Sequence, residues 1–339
     1  MKRRISIIIP VYNGATYIES LLNKLLILPE SIYEIIIVDD GSIDGTKEVC
    51  KMFSSHNNLI YVYQENQGVS NARNTGISYS NGKYIVFCDA DDEIDIERFK
   101  LLIEEVMKNE ADYYITGYIE KNYKNNSIKE IEAIGKGFYN INDFASIFFE
   151  NLKVNLISYP VNKVFLKSII DDNNLIFDES LSFAEDLVFN LDYLKCVKRI
   201  WVSNINSYIY NKYRNENSLS SNFSMKFWKA RKIVYQKLSY LLEQFDNYSH
   251  LKVHQNTYAA KVLIYTTRQI VSQNISVKLK INQLRSIFKD TYLNNFIHSE
   301  LLLSKNQKIL ISFMKYKKAY SVFLFWRIFD LKDKLNNGK

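Results

Sequence analysis

The sequence predicts an α/β protein: a mostly parallel sheet with helices on both faces, followed by an α-helical carboxyl-terminal region. Three observations carry this expectation. Across the first third of the chain, short β-branched apolar runs alternate with single stretches of helical apolar spacing. From about Met225 onward, helical periodicity stands alone. Charge divides at the same place: residues 1–224 hold 23 Lys and Arg against 31 Asp and Glu, and residues 225–339 hold 21 against 6, in a chain of net charge +7.

Ile5–Ile9 is a strand-like run ended by Pro10, and Ile18, Leu21, Leu22, Leu25 and Leu26 follow at helical spacing. Thr16 and Glu19 have the spacing of a capping box at the start of that helix. A strand at Glu34–Val38, a turn at Asp39–Gly45, a helix through Cys50 and a strand at Leu59–Tyr63 come next. A helix near Val69–Tyr79 leads to the strand Tyr84–Cys88. Phe99, Leu102, Ile103 and Val106 then mark an amphipathic helix capped by Asp95. Apolar strands joined by single helices imply a parallel sheet covered on both sides. Ligands of such sheets sit beyond the carboxyl ends of the strands. The polar segments after Ile9, Val38, Tyr63 and Cys88 are therefore expected along one edge. Helices resume at Phe227–Leu242, which puts a boundary near residues 218–225 and predicts two domains, 1–220 and 225–339.

Apolar residues at 47% and charged residues at 24% describe a globular protein with a substantial core. Met1–Arg4 followed by Ile5–Ile9 resembles a signal peptide in outline, but Pro10 interrupts an apolar run shorter than the roughly 7 to 15 residues required. Cys50, Cys88 and Cys196 are too few and too scattered for a disulfide framework or a zinc cluster. A cytoplasmic location is expected.

Chemistry concentrates after the strands. In Phe87-Cys88-Asp89-Ala90-Asp91-Asp92, three carboxylates follow a buried run. Such a group calls for a compensating cation, and oxygen-only ligands suit Mg²⁺ or Mn²⁺ completed by substrate phosphates. The plainer alternative is an acidic helix start favoured by the helix dipole. Asp39-Asp40 runs into Gly41-Ser42-Ile43-Asp44-Gly45, where a carboxylate could accept from a base N–H or a ribose hydroxyl; an ordinary turn uses the same residue types. Arg73 lies between these clusters, in Asn66–Asn74, and could grip a diphosphate bidentately or simply pair with a neighbouring acid.

Ser6–Asn13, Val38–Thr46, Asn66–Asn74 and Asp89–Asp92 stand in the order of one family. The chain resembles the family 2 glycosyltransferases of the Rossmann-like GT-A fold, the kind that build bacterial capsule, exopolysaccharide and lipopolysaccharide. That resemblance implies Pro10, Tyr12 and Asp39 or Asp40 around the nucleotide, usually uridine, Arg73 beside the diphosphate, and the Asp89–Asp91 pair at the ribose and metal. Ser182–Phe189 looks like the family's Glu-Asp segment, here Glu185-Asp186, whose aspartate serves as general base. Inversion needs such a group, since a carboxylate must take the proton of the attacking hydroxyl. No motif holds any of the four histidines. The alternative for Asp186 is a helix-start acid paired with Lys163 or Lys195. Lys163 resembles a lysine near the acceptor. Tyr208–Arg214 with Asn217-Ser218 looks like a Tyr-x-Tyr-Arg segment that closes over the donor, but Asn211 stands where arginine is usual, so Lys212 or Arg214 would supply the charge.

The expected reaction is inverting, metal-dependent transfer of a hexose from a UDP-sugar to a hydroxyl of a growing surface glycan, lipid-linked through a polyprenyl diphosphate. A nucleotidyltransferase making sugar nucleotides and a non-catalytic module binding nucleotide sugars or polysaccharide are the alternatives. Asn13-Gly14-Ala15-Thr16 is a poor phosphate loop for the first, and no Gly-x-Gly-x-x-Gly or Walker-type loop occurs. Residues 225–339 match no motif. Lys315–Lys318 precede an aromatic run, Tyr320 to Phe329, too short to span a bilayer. It suits either a helix lying on the inner membrane leaflet or one packing on its own domain or a second subunit. A basic surface could also meet nucleic acid, but no recognisable module accompanies it.

Overall fold

The computed structural model describes residues 5–212, 225–246 and 248–337. The chain divides into two compact units, Met1–Glu216 and Asn217–Lys339. In the first, β1 (Ile5–Val11), α1 (Ala15–Leu25), β2 (Tyr33–Asp40), α2 (Thr46–Met52), β3 (Leu59–Gln64), α3 (Val69–Tyr79) and β4 (Tyr84–Phe87) alternate. After them come β5 (Glu93–Ile94), α4 (Ile96–Asn109), β6 (Tyr113–Ile115), β7 (Tyr118–Asn122), β8 (Ser127–Ile131), β9 (Gly137–Asn140) and α5 (Ile141–Lys153). The unit closes with β10 (Lys163–Leu166), α6 (Lys167–Asp172), α7 (Glu185–Leu194), β11 (Arg199–Val202) and β12 (Tyr208–Lys212).

The main sheet has eight strands in the order β3-β2-β1-β4-β10-β6-β11-β9. β3, β2, β1 and β4 are mutually parallel, as are β6 and β11, whereas β10 and β9 run against their neighbours. Every residue of β1 and β2 is buried. Because successive side chains point to opposite faces, both faces must be covered. Pro10 sits inside the central strand without breaking a ladder. The Ile8 carbonyl accepts from the Cys88 N–H, so position 10 faces the same neighbour beyond its last paired residue, Phe87, where a missing donor costs nothing. A second sheet, β5-β12-β7-β8, has no counterpart in the sequence reading. Its strands run two to five residues, too short for a period of two to stand out.

The capping box expected at Thr16 and Glu19 does not form. α1 starts two residues earlier, after Gly14, and the N–H groups of Gly14 and Ala15 donate across to the segment after β2. Gly14 N–H reaches Thr46 Oγ1 at 3.0 Å and Ala15 N–H reaches Asp44 Oδ2 at 3.1 Å. Asp95 does cap α4, accepting from the Arg98 N–H at 3.1 Å.

The second unit contains α8 (Met225–Leu242), α9 (Tyr248–Ser272), α10 (Val277–Lys289), α11 (Lys305–Lys315) and α12 (Ala319–Asn337). Trp228, Leu263, Leu284, Phe296, Val322 and Trp326 belong to one buried cluster. Trp326 Nε1 donates to Thr267 Oγ1 at 3.0 Å, so the aromatic run at the start of α12 turns its tryptophan inward, packing it on its own unit. Tyr320, Leu324 and Ile328 remain exposed. Among the described residues, no helix is long and apolar enough to cross a membrane.

α3 lies against β1, and Gly76 makes the approach possible: a Cβ there would collide with the Ile8 side chain. Gly76→Ala should lower the stability of the first unit by about 1–3 kcal/mol, the usual range for overpacking, read as a lower midpoint in urea unfolding.

Candidate active site

The carboxyl ends of β1 to β4 share one edge, and the loops leaving them are tied to one another. Asn13 N–H donates to Ser42 Oγ at 2.8 Å, and Asn13 Oδ1 accepts from the Ile43 N–H at 2.9 Å. Tyr12, beside this stitch, is 52% exposed, while Pro10 is buried in β1. Asp39 and Asp40 are both buried at the end of β2. Asp39 accepts from the Ser42 N–H at 2.8 Å and the Tyr61 hydroxyl at 2.6 Å. Asp40 accepts from Gln64 Nε2 at 2.7 Å and from the Gln67 and Gly68 N–H groups at 2.9 and 2.8 Å. It therefore fixes the turn that starts α3, where Gly68 has a φ of 91° that favours glycine.

That turn aims Arg73. The residue is 3% exposed, and its guanidinium donates to Asp186 Oδ1 at 2.6 Å and to Asp89 Oδ1 at 3.0 Å. Its plane stands over the Phe177 ring, 5.3 Å from the centroid. Burial works against this charge, but Asp186 and Asp89 more than restore it. Nε is buried without a hydrogen-bond partner in the protein. Both ends of the fork hold carboxylates, the arrangement that the acid-pairing alternative for Arg73 describes.

Asp186 lies in the first turn of α7, after Ala184, which adopts a left-handed φ of 61°. Its side chain is 24% exposed. Burial raises its pKa to about 7; Arg73 opposes the shift, Glu185 and Asp89 add to it, and Lys163 opposes it. The alternative reading pairs Asp186 with Lys163 or Lys195; its ion pair is with Arg73. Lys163 is buried on β10 and donates to the Leu156 carbonyl at 2.5 Å, to Asn162 Oδ1 at 2.7 Å and to the Tyr159 carbonyl. An ammonium has three protons, so these contacts engage them all and Lys163 clamps residues 156–162. Burial depresses its pKa well below the usual lysine range.

The three carboxylates after β4 separate into two roles. Asp92 is buried, accepting from the Tyr208 hydroxyl and from the Asn211 N–H at 2.7 Å. Asn211 Nδ2 donates to the Asp91 carbonyl at 3.0 Å, and the Asp89 N–H donates to Tyr208 Oη at 3.4 Å. β12 thereby grips the loop that carries Asp89 and Asp91. Asn211, where the resembled family has arginine, is one of these grips. Desolvation, then Asp89, pushes Asp91 above the usual carboxylate range. Among the described residues no three His, Cys, Asp or Glu side chains gather as a self-sufficient metal site. Two carboxylates whose mutual repulsion is partly unrelieved do fit a hard cation completed by substrate phosphate oxygens. Lys212 Nζ lies 3.6 Å from Glu120 Oε2 at the outer end of β12. Arg214, with Asn217 and Ser218, lies outside the described residues.

The geometry thus brings Asp89, Arg73 and Asp186 into one chain of contacts from three separate elements. Residues 6–173, which carry two of these three, match the sequence profile of Glycosyl transferase family 2. Through this segment the chain belongs to glycosyl transferase family 2. It is 31% identical over 217 residues to the uncharacterized glycosyltransferase EpsJ of Bacillus subtilis, covering 64% of this chain and 62% of that one. It is 31% identical over 228 residues to the minor teichoic acid biosynthesis protein GgaA of the same organism, over 63% of this chain and 48% of GgaA. The chain spans only 21% of the length of the glycosyltransferase GlyA of Streptococcus pneumoniae. Residues 1–349 of S. aureus TarS in complex with UDP share the fold, with a TM-score of 0.71 at 18% identity over 99% of this chain and 92% of that one. The mixed sheet and the helical carboxyl-terminal unit are therefore those of a GT-A glycosyltransferase.

In this family 2 domain, neither Tyr208 nor Asn211 was legible as a partner of Asp92, which lies 116 to 119 positions away. Phe177, under Arg73, carried no signal either. Tyr208→Phe should leave Asp92 short of a donor and cost about 1–3 kcal/mol of stability, measured as a lowered thermal midpoint at neutral pH.

Proposed function

We propose that this chain is an inverting glycosyltransferase that moves a hexose from a UDP-sugar to a hydroxyl of a bacterial surface glycan. The observation that carries the reading is the Asp89–Arg73–Asp186 bridge, which sets a carboxyl group of raised pKa beside the acidic loop after β4. TarS bound to UDP and the relative named for teichoic acid biosynthesis support the donor and acceptor classes. In the reaction, the acceptor oxygen attacks the anomeric carbon from the side opposite the diphosphate. Its proton passes to Asp186, and the bond from the anomeric carbon to the diphosphate oxygen breaks with both electrons going to that oxygen. Asp91 and Asp89 would hold Mg²⁺ or Mn²⁺, which when bound offsets the leaving group's charge. Arg73 orders the two acids and keeps the Asp186 pKa from rising further. Asp39, Pro10 and Tyr12 remain as the nucleotide side of the cleft, with Asp40 shaping the turn beside it. Glu185 adds negative charge next to the base.

Incubation with a panel of UDP-hexoses and Mn²⁺, following UDP release, tests the assignment. Asp186→Asn should bind UDP as the parent does and lose about 10²- to 10⁴-fold in turnover. A base must be ionised to act, so turnover of the parent should fall as the pH drops through about 7. Turnover within a few-fold of the parent would move the base elsewhere. Pyrophosphate formation from UTP would instead support a nucleotidyltransferase.

The second unit supports the remainder of the reading, contact with an anionic lipid surface on the cytoplasmic side, where a polyprenyl-linked acceptor would lie. Tyr320, Leu324 and Ile328 recur at four-residue spacing on the outer face of α12. Arg285 stands over Tyr320 at 5.4 Å, Arg327 is exposed beside Leu324, and Lys315, Lys317 and Lys318 precede the helix. Each basic side chain near such a surface contributes about 1 kcal/mol. The full chain should float with vesicles containing phosphatidylglycerol and not with neutral ones, and Leu324→Glu with Ile328→Glu should abolish flotation. Flotation unchanged by that double substitution would reject the surface.

A further inference from the structure

Next to the acidic cluster stand three tyrosines that the reaction as derived leaves unused. Tyr118 on β7, Tyr159 in the loop before β10 and Tyr210 on β12 meet ring to ring. Tyr118 approaches Tyr159 with centroids 5.9 Å apart and planes at 78°, and Tyr210 at 6.5 Å and 90°. Tyr159 and Tyr210 are 6.3 Å apart with planes only 23° from parallel. Tyr118 is buried, and its perpendicular contacts brace the other two. Tyr159 is half-buried, and Tyr210 is 37% exposed. The two outer rings are therefore close to parallel, and both residues are partly open to solvent.

Tyr210 adjoins Asn211, which holds the Asp92 carboxylate and the Asp91 carbonyl, and the Tyr159 carbonyl accepts from Lys163. Burial, then Glu120 and Asp186, raises the Tyr159 pKa. Burial, Tyr159, and then Asp92, Asp91 and Asp89 push Tyr210 up to about 12. One ring thus neighbours the proposed base and the other the acidic loop, and both phenols stay neutral. The rim is polar: Glu120 pairs in register with Tyr210 across β7 and β12, and Lys212 lies 3.6 Å from its carboxylate. Flat rings of negative face, bordered by hydrogen-bonding groups, suit a ligand with an apolar C–H face and hydroxyls around its edge. A pyranose has that form.

We propose that Tyr159 and Tyr210 form a stacking platform for a hexopyranose ring at this site. The assignment deepens the transferase reading and rests on it for the ligand's place in the reaction, as donor sugar or acceptor sugar. The neighbouring Lys163 clamp, which holds the Tyr159 carbonyl, fixes one half of the platform.

The test is saturation-transfer NMR on the full chain with UDP, a panel of UDP-hexoses, and methyl glucosides and galactosides as probes. The parent should transfer saturation to ring C–H protons. Tyr210→Ala and Tyr159→Ala should weaken sugar binding about threefold to tenfold, the scale of one aromatic contact. Tyr210→Phe should retain it, and UDP affinity should not change. Loss confined to UDP-hexoses assigns the donor sugar, and loss confined to the methyl glycosides assigns the acceptor. Unaltered sugar contacts in the alanine variants would overturn the platform. So would a parallel loss of UDP, which would make it a base-stacking surface, or Tyr210→Phe as damaging as alanine. A parent that binds no sugar probe would overturn it too. A parent that cleaves no UDP-hexose but holds methyl glycosides through Tyr210 would sink the transferase reading and leave the platform standing.

Discussion

The buried guanidinium of Arg73 is the constraint on which the site depends. A cation removed from water costs several kcal/mol unless partners of opposite charge surround it. Here the partners arrive from different places: Asp89 from the loop after β4, and Asp186 from the first turn of α7. Neither acid can leave without stranding the cation, and the cation cannot leave without stranding two acids, of which Asp89 raises the proton affinity of Asp186. The arrangement explains why Asp186 settles near neutrality. Burial alone would carry it higher, while a freely exposed ion pair would hold it low.

Upstream of Arg73, the rest of the first unit looks like a sequence of supports. Asp40 takes two backbone N–H groups at the start of α3, and Gly76 lets the same helix lie flush on β1. The helix therefore has little freedom to rotate, and Arg73 inherits its direction from contacts made at either end. Asp92 performs the same service for the acidic loop through Tyr208 and Asn211. The aspartates along this edge divide into buried ones held by backbone and side-chain donors, Asp39, Asp40 and Asp92, and partly or fully exposed ones, Asp89, Asp91 and Asp186.

That division was not legible in the sequence, although the clusters were. Runs such as Ile5–Ile9 and the helix at Val69–Tyr79 are set by local periodicity, and the structure has them within one or two residues. Local spacing misled at Thr16 and Glu19, because Thr46 and Asp44 from the next loop satisfy the donors that a capping box would have taken. It was equally blind to the short strands of the second sheet, and it left open whether the aromatic run packs on its own unit, as Trp326 does. In each case the deciding partner lies about thirty or more positions away, or the element is shorter than the period that would reveal it.

Lys163 lies near Asp186 electrostatically while its hydrogen bonds all go to a loop. The family pattern implies a lysine on the acceptor side, and its ammonium is close enough to Asp186 to bear on that residue's ionisation. Yet its protons go to the Leu156 and Tyr159 carbonyls and to Asn162, so its charge is spent on a loop. A neutral amine would hold that loop less firmly, since charge-assisted bonds are about twice as strong as neutral ones. Burial nevertheless drives Lys163 towards the neutral form, and the nearby carboxylate opposes that drift. The ionised Asp186 and the charged clamp therefore favour one another: when Asp186 gives up its proton, Lys163 is better able to keep its own. The loop that carries Tyr159 is then held most firmly when Asp186 is ionised.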